Sequence, residues 1–189
     1  MTQIHYKNKT IVAFSDTHGK HREMRYINAD IVLFLGDACN SGNNAHLQDF
    51  LEWFSQYPAK HKLFLAGNHE LQWQFEPDEF LSFFPKNCIF LENRFMKIEG
   101  ITFVSVPATM GLLEYPQLKV PEKVDFLLTH APPYGILDIN MGCPTLLKYV
   151  SKLKPRNHLF GHIHETGGKL SEIEKTIFNN VSVYHQLFF

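Results

Sequence analysis

Six short runs along the chain are continuously apolar and rich in β-branched and aromatic residues: 10–16 (TIVAFSD), 31–37 (IVLFLGD), 62–68 (KLFLAGN), 101–106 (ITFVSV), 124–130 (VDFLLTH) and 158–162 (HLFGH). Unbroken rather than alternating hydrophobicity marks strands that are covered on both faces. Between them, Asn44 to Tyr57 carries Leu47, Phe50, Leu51 and Phe54 at helical spacing and stops at Pro58. A second helix is predicted from Pro144, a residue suited to a first helical turn, with Leu146, Leu147, Val150 and Leu153 before Pro155. A shorter one covers Pro77 to Phe84. The helix-poor stretches 88–106 and 168–188 read as added hairpins, and the closing SVYHQLFF as a last packed strand. Strands alternating with helices predict an α/β layered fold, a mixed sheet or sheet sandwich with flanking helices.

Length and composition narrow this picture. A chain of 189 residues buries about two-thirds or more of its unfolded surface as one unit but is short for two, so residues 1–189 are read as a single domain. No repeat, low-complexity tract or linker interrupts it. Lysine and arginine number 18 against 19 aspartates and glutamates, which leaves no broad positive field and excludes duplex nucleic acid as an expected partner. Cys39, Cys88 and Cys143 show none of the paired spacings of a zinc ribbon or redox motif and read as free thiols. The polar start MTQIHYKNKT lacks the apolar core of a secretory signal, and no apolar run approaches membrane-spanning length. These features suggest a soluble, cytoplasmic protein with no membrane partner.

Histidine changes the picture most, with 11 residues, several in tight polar clusters. Five of the apolar runs end directly in a residue able to bind metal: Asp16, Asp37, Asn68, His130 and His162. Ligands in open α/β sheets bind beyond the carboxyl ends of strands, so the five are expected to meet in one crevice. Glycine precedes Asp37, Asn68 and His162, allowing a sharp turn or a close approach to an ion. His18 and His164 each follow a ligand at spacing two, which in extended backbone puts both side chains of a pair on one side. Two carboxylates, one amide oxygen and four imidazoles exceed what a single site with open water positions uses, so two ions sharing a ligand fit better. Asp37, central in chain order, is the candidate bridge. With no cysteine in the set, mixed oxygen and nitrogen donors favour borderline ions such as Mn, Fe, Co or Zn without ranking them; Mn is the working expectation. Two such ions about 3.5 to 4 Å apart suit phosphoryl chemistry, with a metal-bound hydroxide as nucleophile. His69, next to Asn68, points away from the ligand direction in extended backbone and is assigned to transition-state stabilisation or leaving-group protonation.

Singly, each of these residues has a structural explanation, Asp16 as a turn cap, Asn68 as an Asx turn, His130 as a core histidine. Five strand ends that all terminate in ligands are not something packing requires. Other features keep their structural reading. The 17 phenylalanines are core, Lys148, Lys152, Lys154 and Arg156 form a solvated helix face, and His46, His61, His158 and His185 receive no metal role.

The ordered strings SDTHG, LGDACNSG, AGNHE, LLTHAPP and FGHIHE, spread from residue 15 to residue 165, resemble the calcineurin-like metallophosphoesterase superfamily. GNHEL, THAPPYG, GCPTLL and FGHIHE look more closely like its small metallophosphoesterase-domain-containing phosphodiesterases, described as hydrolysing cyclic nucleotides and model phosphodiesters. The resemblance implies one ion on Asp16, His18, Asp37 and His164, the other on Asp37, Asn68, His130 and His162, and His69 as catalytic histidine. It also implies a four-layer α/β fold, two packed mixed β-sheets flanked by helices. The sequence departs from that branch at 106–123, VPATMGLLEYPQLKVPEK, where relatives carry a longer, tryptophan-containing segment. The expectation is thus a dinuclear metal-dependent phosphoesterase acting on small phosphodiesters. The alternatives are a phosphomonoesterase or nuclease on the same metals, or a non-catalytic interaction scaffold.

Overall fold

Side-chain alternation along the buried strands explains how the molecule is layered. In the computed structural model, which describes residues 1–107 and 118–189, β2 (Lys9–Phe14), β3 (Ala29–Leu35) and β4 (Ala59–Leu65) run parallel in one sheet. Their odd-numbered apolar residues, Ile11, Ala13, Ile31, Leu33, Leu63 and Leu65, face a second sheet through Ile101, Phe103, Phe126, Leu128 and Leu159. Their even-numbered ones, Val12, Phe14, Val32, Phe34 and Phe64, meet helix α1 (Asn44–Ser55) through Leu47, Phe50, Leu51 and Phe54. The period-two geometry of a strand therefore serves two apolar interfaces at once, which is why these runs show no polar alternation.

The first sheet has the order β1-β2-β3-β4-β5, with β1 (Thr2–Tyr6) an antiparallel edge and β5 (Ile89–Phe90) the parallel far edge. The second contains β6 (Arg94–Ile98), β7 (Ile101–Ser105), β8 (Phe126–Leu128), β9 (Asn157–Phe160), β10 (Leu170–Ile173) and β11 (Thr176–Asn180), in the order β10-β11-β9-β8-β7-β6. Its centre is parallel and its two edges antiparallel. Val104, Leu127, Phe160 and Phe178 on its outer face bury Leu146 and Val150 of the helix Pro144–Leu153. The result is helix, sheet, sheet, helix: two mixed β-sheets packed face to face with helices outside. The helices α2 (Leu71–Phe75) and α3 (Pro77–Phe83) follow β4, and α4 is the helix Pro144–Leu153.

Two local readings are corrected, and one strand had no assignment from the sequence. The closing segment forms a helix, α5 (Tyr184–Phe188), rather than a strand; Tyr184, Leu187 and Phe188 recur at the spacing of a helical face, and Tyr184 stacks on Phe188 at 4.2 Å between ring centroids. The stretch 88–106 is not one hairpin, because β5 pairs with β4 in the first sheet and only β6 and β7 form the hairpin. The polar N-terminus is itself a strand. Lys7 and Asn8, at φ 48° and 60°, form the two-residue left-handed turn that joins Tyr6 to its partner Lys9. Residues 108–117, most of the divergent 106–123 segment, lie outside the described residues. No helix among the described residues is long and apolar enough to cross a membrane, and Cys39, Cys88 and Cys143 are buried and outside any disulfide.

Candidate metal centre

Five strands deliver ligands to one edge of the sandwich. Asp16 follows β2, Asp37 follows β3 and Asn68 follows β4 in the first sheet, while His130 follows β8 and His162 follows β9 in the second. The close approach of the two sheets here depends on missing side chains. A Cβ on Gly36, at φ 94°, would meet the Gly67 backbone at 2.5 Å and His130 Nδ1 at 2.6 Å, and one on Gly161 would meet Asp16 Oδ2 at 2.5 Å. Four of the seven proposed ligands, Asp16, His18, Asp37 and His162, sit at positive φ between 45° and 67°. This left-handed backbone is uncommon outside glycine, although aspartate and histidine adopt it more readily than most residues, and it persists where the surroundings over-determine it.

The seven side chains fall into two adjacent groups. Donor atoms of Asp16, His18 and His164 lie within 4.8 Å of one another, as do those of Asp37, His130 and His162. His18 Nε2 stands 3.3 Å from His164 Nε2, and His164 Nε2 is 3.5 Å from Asp16 Oδ1. His130 Nε2 is 3.0 Å from Asn68 Oδ1 and 3.2 Å from Asp37 Oδ2. Asp37 Oδ2 also lies 3.9 Å from His18 Nε2, so it faces both groups.

The arrangement of protons fits a cation. His130 Nδ1 donates to the Leu35 carbonyl at 2.7 Å, and His18 Nδ1 to Asn40 Oδ1 at 3.0 Å, Asn40 being held by its own amide bond to the His18 carbonyl. Each ring therefore turns Nε2 inward, as metal-binding imidazoles do when a neighbouring oxygen fixes the tautomer. Burial lowers the pKa of His18 against the opposing pull of Asp37 and Asp16. Burial and the His130 charge bring His162 down to about 4. For His130, burial would lower the pKa, but the Asp37 carboxylate outweighs it and raises the value to about 10, marking the spot where positive charge is most favoured. Asp37 is held below the usual carboxylate range by His130 and His69, against burial. Convergent acceptors on oxygen and nitrogen, with Asp16, His18, Asp37 and His130 buried, His162 and His164 half-buried and Asn68 open to solvent, are a donor set suited to a divalent metal.

The chain matches the family model described as calcineurin-like phosphoesterase over residues 9–166. It belongs to that family. Among curated relatives, a UPF0046 protein of Caenorhabditis elegans is 32% identical, with 89% of this chain and 68% of that protein covered. The human metallophosphoesterase domain-containing protein 1 is 30% identical over 89% of this chain. This chain spans only 64% of that relative's length. Among solved structures, a phosphopantetheinyl hydrolase from Mycobacterium tuberculosis superposes with a TM-score of 0.68 at 13% identity, covering 92% of this chain and 88% of that one. A Thermus thermophilus protein gives 0.61 at 14% identity, with 90% and 89% covered. At such identities the likeness is one of fold.

Within this family framework several supporting residues had no sequence-level assignment. Glu70, 1% exposed, accepts backbone N–H bonds from Asp37 and Ala38 at 2.8 Å each and from Gly67 at 2.6 Å, tying the β3 and β4 turns together. Burial and the Asp37 charge push its pKa up to about 7 despite those donors. Its place in GNHE, two residues after Asn68, was the available signal. His69 donates its backbone N–H to Asp37 Oδ1 at 2.9 Å, and its Nδ1 accepts from the Ser41 N–H at 2.8 Å. The ring is half-buried beside the groups, with Nε2 3.9 Å from Asp37 Oδ2. Ser15 Oγ donates to Asp16 Oδ2 at 2.5 Å, and the His162 N–H reaches both Asp16 oxygens at 3.2 and 3.1 Å. Tyr184 of α5 stacks on His164 at 3.8 Å and 9° and meets the His18 ring edge-on at 5.4 Å. No local pattern assigns such contacts. Of the histidines given no metal role, His158 is fully buried on Thr129, His61 pairs with Glu99, and His46 and His185 belong to neither ligand group.

Proposed function

We propose that this chain is a metal-activated phosphodiesterase acting on small phosphodiesters, cyclic nucleotides among them, with two divalent cations. One cation would be held by Asp16, His18, Asp37 and His164, and the other by Asp37, Asn68, His130 and His162. The observation that carries the reading is Asp37 Oδ2, 3.9 Å from His18 Nε2 and 3.2 Å from His130 Nε2, a single carboxylate facing two imidazole groups. Oxygen and nitrogen donors without thiolate suit Mn, Fe, Co or Zn, of which Mn is the ion proposed here. When bound, such ions neutralise phosphate oxygens and lower the pKa of a water for in-line attack.

The remaining work falls to side chains of the chain. Because the Ser41 N–H occupies His69 Nδ1, the neutral ring carries its proton on Nε2, directed to donate toward the departing ester oxygen. The His69 N–H on Asp37 Oδ1 fixes that carboxylate's rotation, leaving Oδ2 to face both histidine groups. The partner is the phosphoester itself, and three buried cysteines outside any disulfide suit the reducing cytoplasm.

The test is hydrolysis of bis(p-nitrophenyl) phosphate with Mn present. Asp37→Ala and His69→Ala are each expected to lower kcat/KM by at least about 10²-fold; full activity in either variant overturns the role given to that residue. Elemental analysis after Mn loading should find two ions per chain, and fewer than one would overturn the two-ion reading.

A further inference from the structure

A second cavity opens beside the metal centre on its Asn68 side. It measures about 290 Å³ and is lined by the turn after β4, Ala66 to Asn68 and Glu70, together with Trp73, Gln74, Glu92 and Pro107. Its walls follow β4, β5 and β7, so it lies at the carboxyl ends of the strands, on the same edge of the sandwich as the proposed ligands. That is where substrates of α/β sheets bind. Asn68 belongs to both places: its Oδ1 is 3.0 Å from His130 Nε2, and it also lines the cavity.

The chemistry of the walls selects what can enter. Glu92 is half-buried, burial raises its pKa, and the Trp73 indole N–H opposes that rise. Asn93 Nδ2 reaches Glu92 Oε1 only at a long 3.4 Å. An ionised carboxylate offers about four lone-pair directions and no donor, so it accommodates further N–H groups and repels anions. Trp73 is anchored by edge contacts to Phe90 at 4.5 Å and Phe80 at 5.7 Å, a rigid apolar wall beside the carboxylate. Glu70, also on the wall, spends its oxygens on backbone donors, leaving Glu92 and the exposed Gln74 amide as the groups addressed to a ligand.

We infer that this cavity is the subsite for one ester substituent of the phosphodiester, and that it selects a substituent carrying N–H donors, an amine or an amino-bearing base, through Glu92 against the Trp73 wall. The inference rests on the phosphodiesterase reading above. The phosphate and the substituent are then recognised by opposite charges at adjoining places: cations at the ligand groups, a carboxylate in the cavity.

The experiment compares kcat/KM in the Mn-loaded protein for two matched pairs: 2-aminoethyl against 2-hydroxyethyl p-nitrophenyl phosphate, and adenosine 3′,5′-cyclic phosphate against its purine analogue lacking the amino group. The amino-bearing member of at least one pair is expected to be preferred by about 10-fold, the scale of one hydrogen bond to a charged group. The favoured pair tells an alkylamine from a base. Glu92→Gln should bring that ratio to within about twofold, and Glu92→Lys should invert it. Ratios near one in the wild type, or ratios that survive both substitutions, overturn the inference while activity on bis(p-nitrophenyl) phosphate keeps the phosphodiesterase reading. No hydrolysis of any diester overturns both.

Discussion

His130 and His18 show what one side-chain bond decides. With Nδ1 committed to an oxygen acceptor in each, the inward nitrogen is Nε2, and outer partners of this kind typically govern metal affinity by about 10- to 100-fold. Asn40→Ala, which frees the His18 ring without touching a ligand, is expected to weaken Mn binding within that range by isothermal titration. Unchanged affinity would show that Asn40 does not hold the ring. Glu70 acts on backbone instead. Glu70→Ala leaves the Asp37, Ala38 and Gly67 N–H groups without their acceptor, at about 1–3 kcal/mol for each that stays unsatisfied. A loss of about 3 kcal/mol or more in urea unfolding is expected, and a loss below about 1 kcal/mol would mean water replaces the carboxylate.

Helix α5 is the element whose role differs most from its appearance in sequence. Tyr184 lies flat on His164, while Lys20, next to the ligand loop, donates to the Leu187 carbonyl at 3.0 Å and sits 4.0 Å from the Phe188 ring centroid. The helix thereby braces the Asp16, His18 and His164 group from outside. Tyr184→Ala should weaken binding of one of two Mn equivalents by about 10-fold, and Tyr184→Phe, which keeps the ring, should restore it. Equal weakening in both variants would assign the effect to the hydroxyl rather than to stacking. Among the strands, the elements at the centre were legible because unbroken runs of Ile, Val, Leu and Phe need apolar cover on both sides. β1 was not, because this five-residue antiparallel edge strand is half open to water and carries only two apolar residues, Ile4 and Tyr6, too short an alternation to stand out from the polar residues around it.

Across the whole molecule, the edge opposite the metal centre is closed by two carboxylates that bind the sheets together. Asp125, beside β8, accepts from Lys7 Nζ at 2.8 Å, Tyr6 Oη at 2.7 Å and the Thr102 N–H at 2.8 Å. Burial and Asp125 together push the Tyr6 hydroxyl up to about 12. Glu99, in the turn between β6 and β7, meets Lys60, Lys9 and His61 from the first sheet, and these lower its pKa to about 2. A carboxyl held below its unfolded value binds fewer protons when folded, so its stabilisation is complete above the unfolded pKa near 4.5 and is lost as pH falls toward 2. Glu99→Gln should therefore show a smaller fall in melting temperature between pH 5 and pH 2.5 than the wild type, these being about the limits of that window. Equal slopes would mean that exposure to solvent screens the cluster.

The sequence by itself determined which residues can bind metal and that they stand at strand ends, because ligand chemistry and the hydrophobicity of buried strands are both local properties. It determined the layered α/β class for the same reason. Only the tertiary structure decided which strands share a sheet, how near one another the two groups of candidate ligands expected from the family resemblance come, and that Glu70, Asn40, Ser41 and Tyr184 contact those groups. Those facts depend on contacts between residues far apart in the chain, such as the His164 ring on Tyr184 or Glu70 across the β3 turn, and no spacing rule encodes a contact that exists only once the chain has folded.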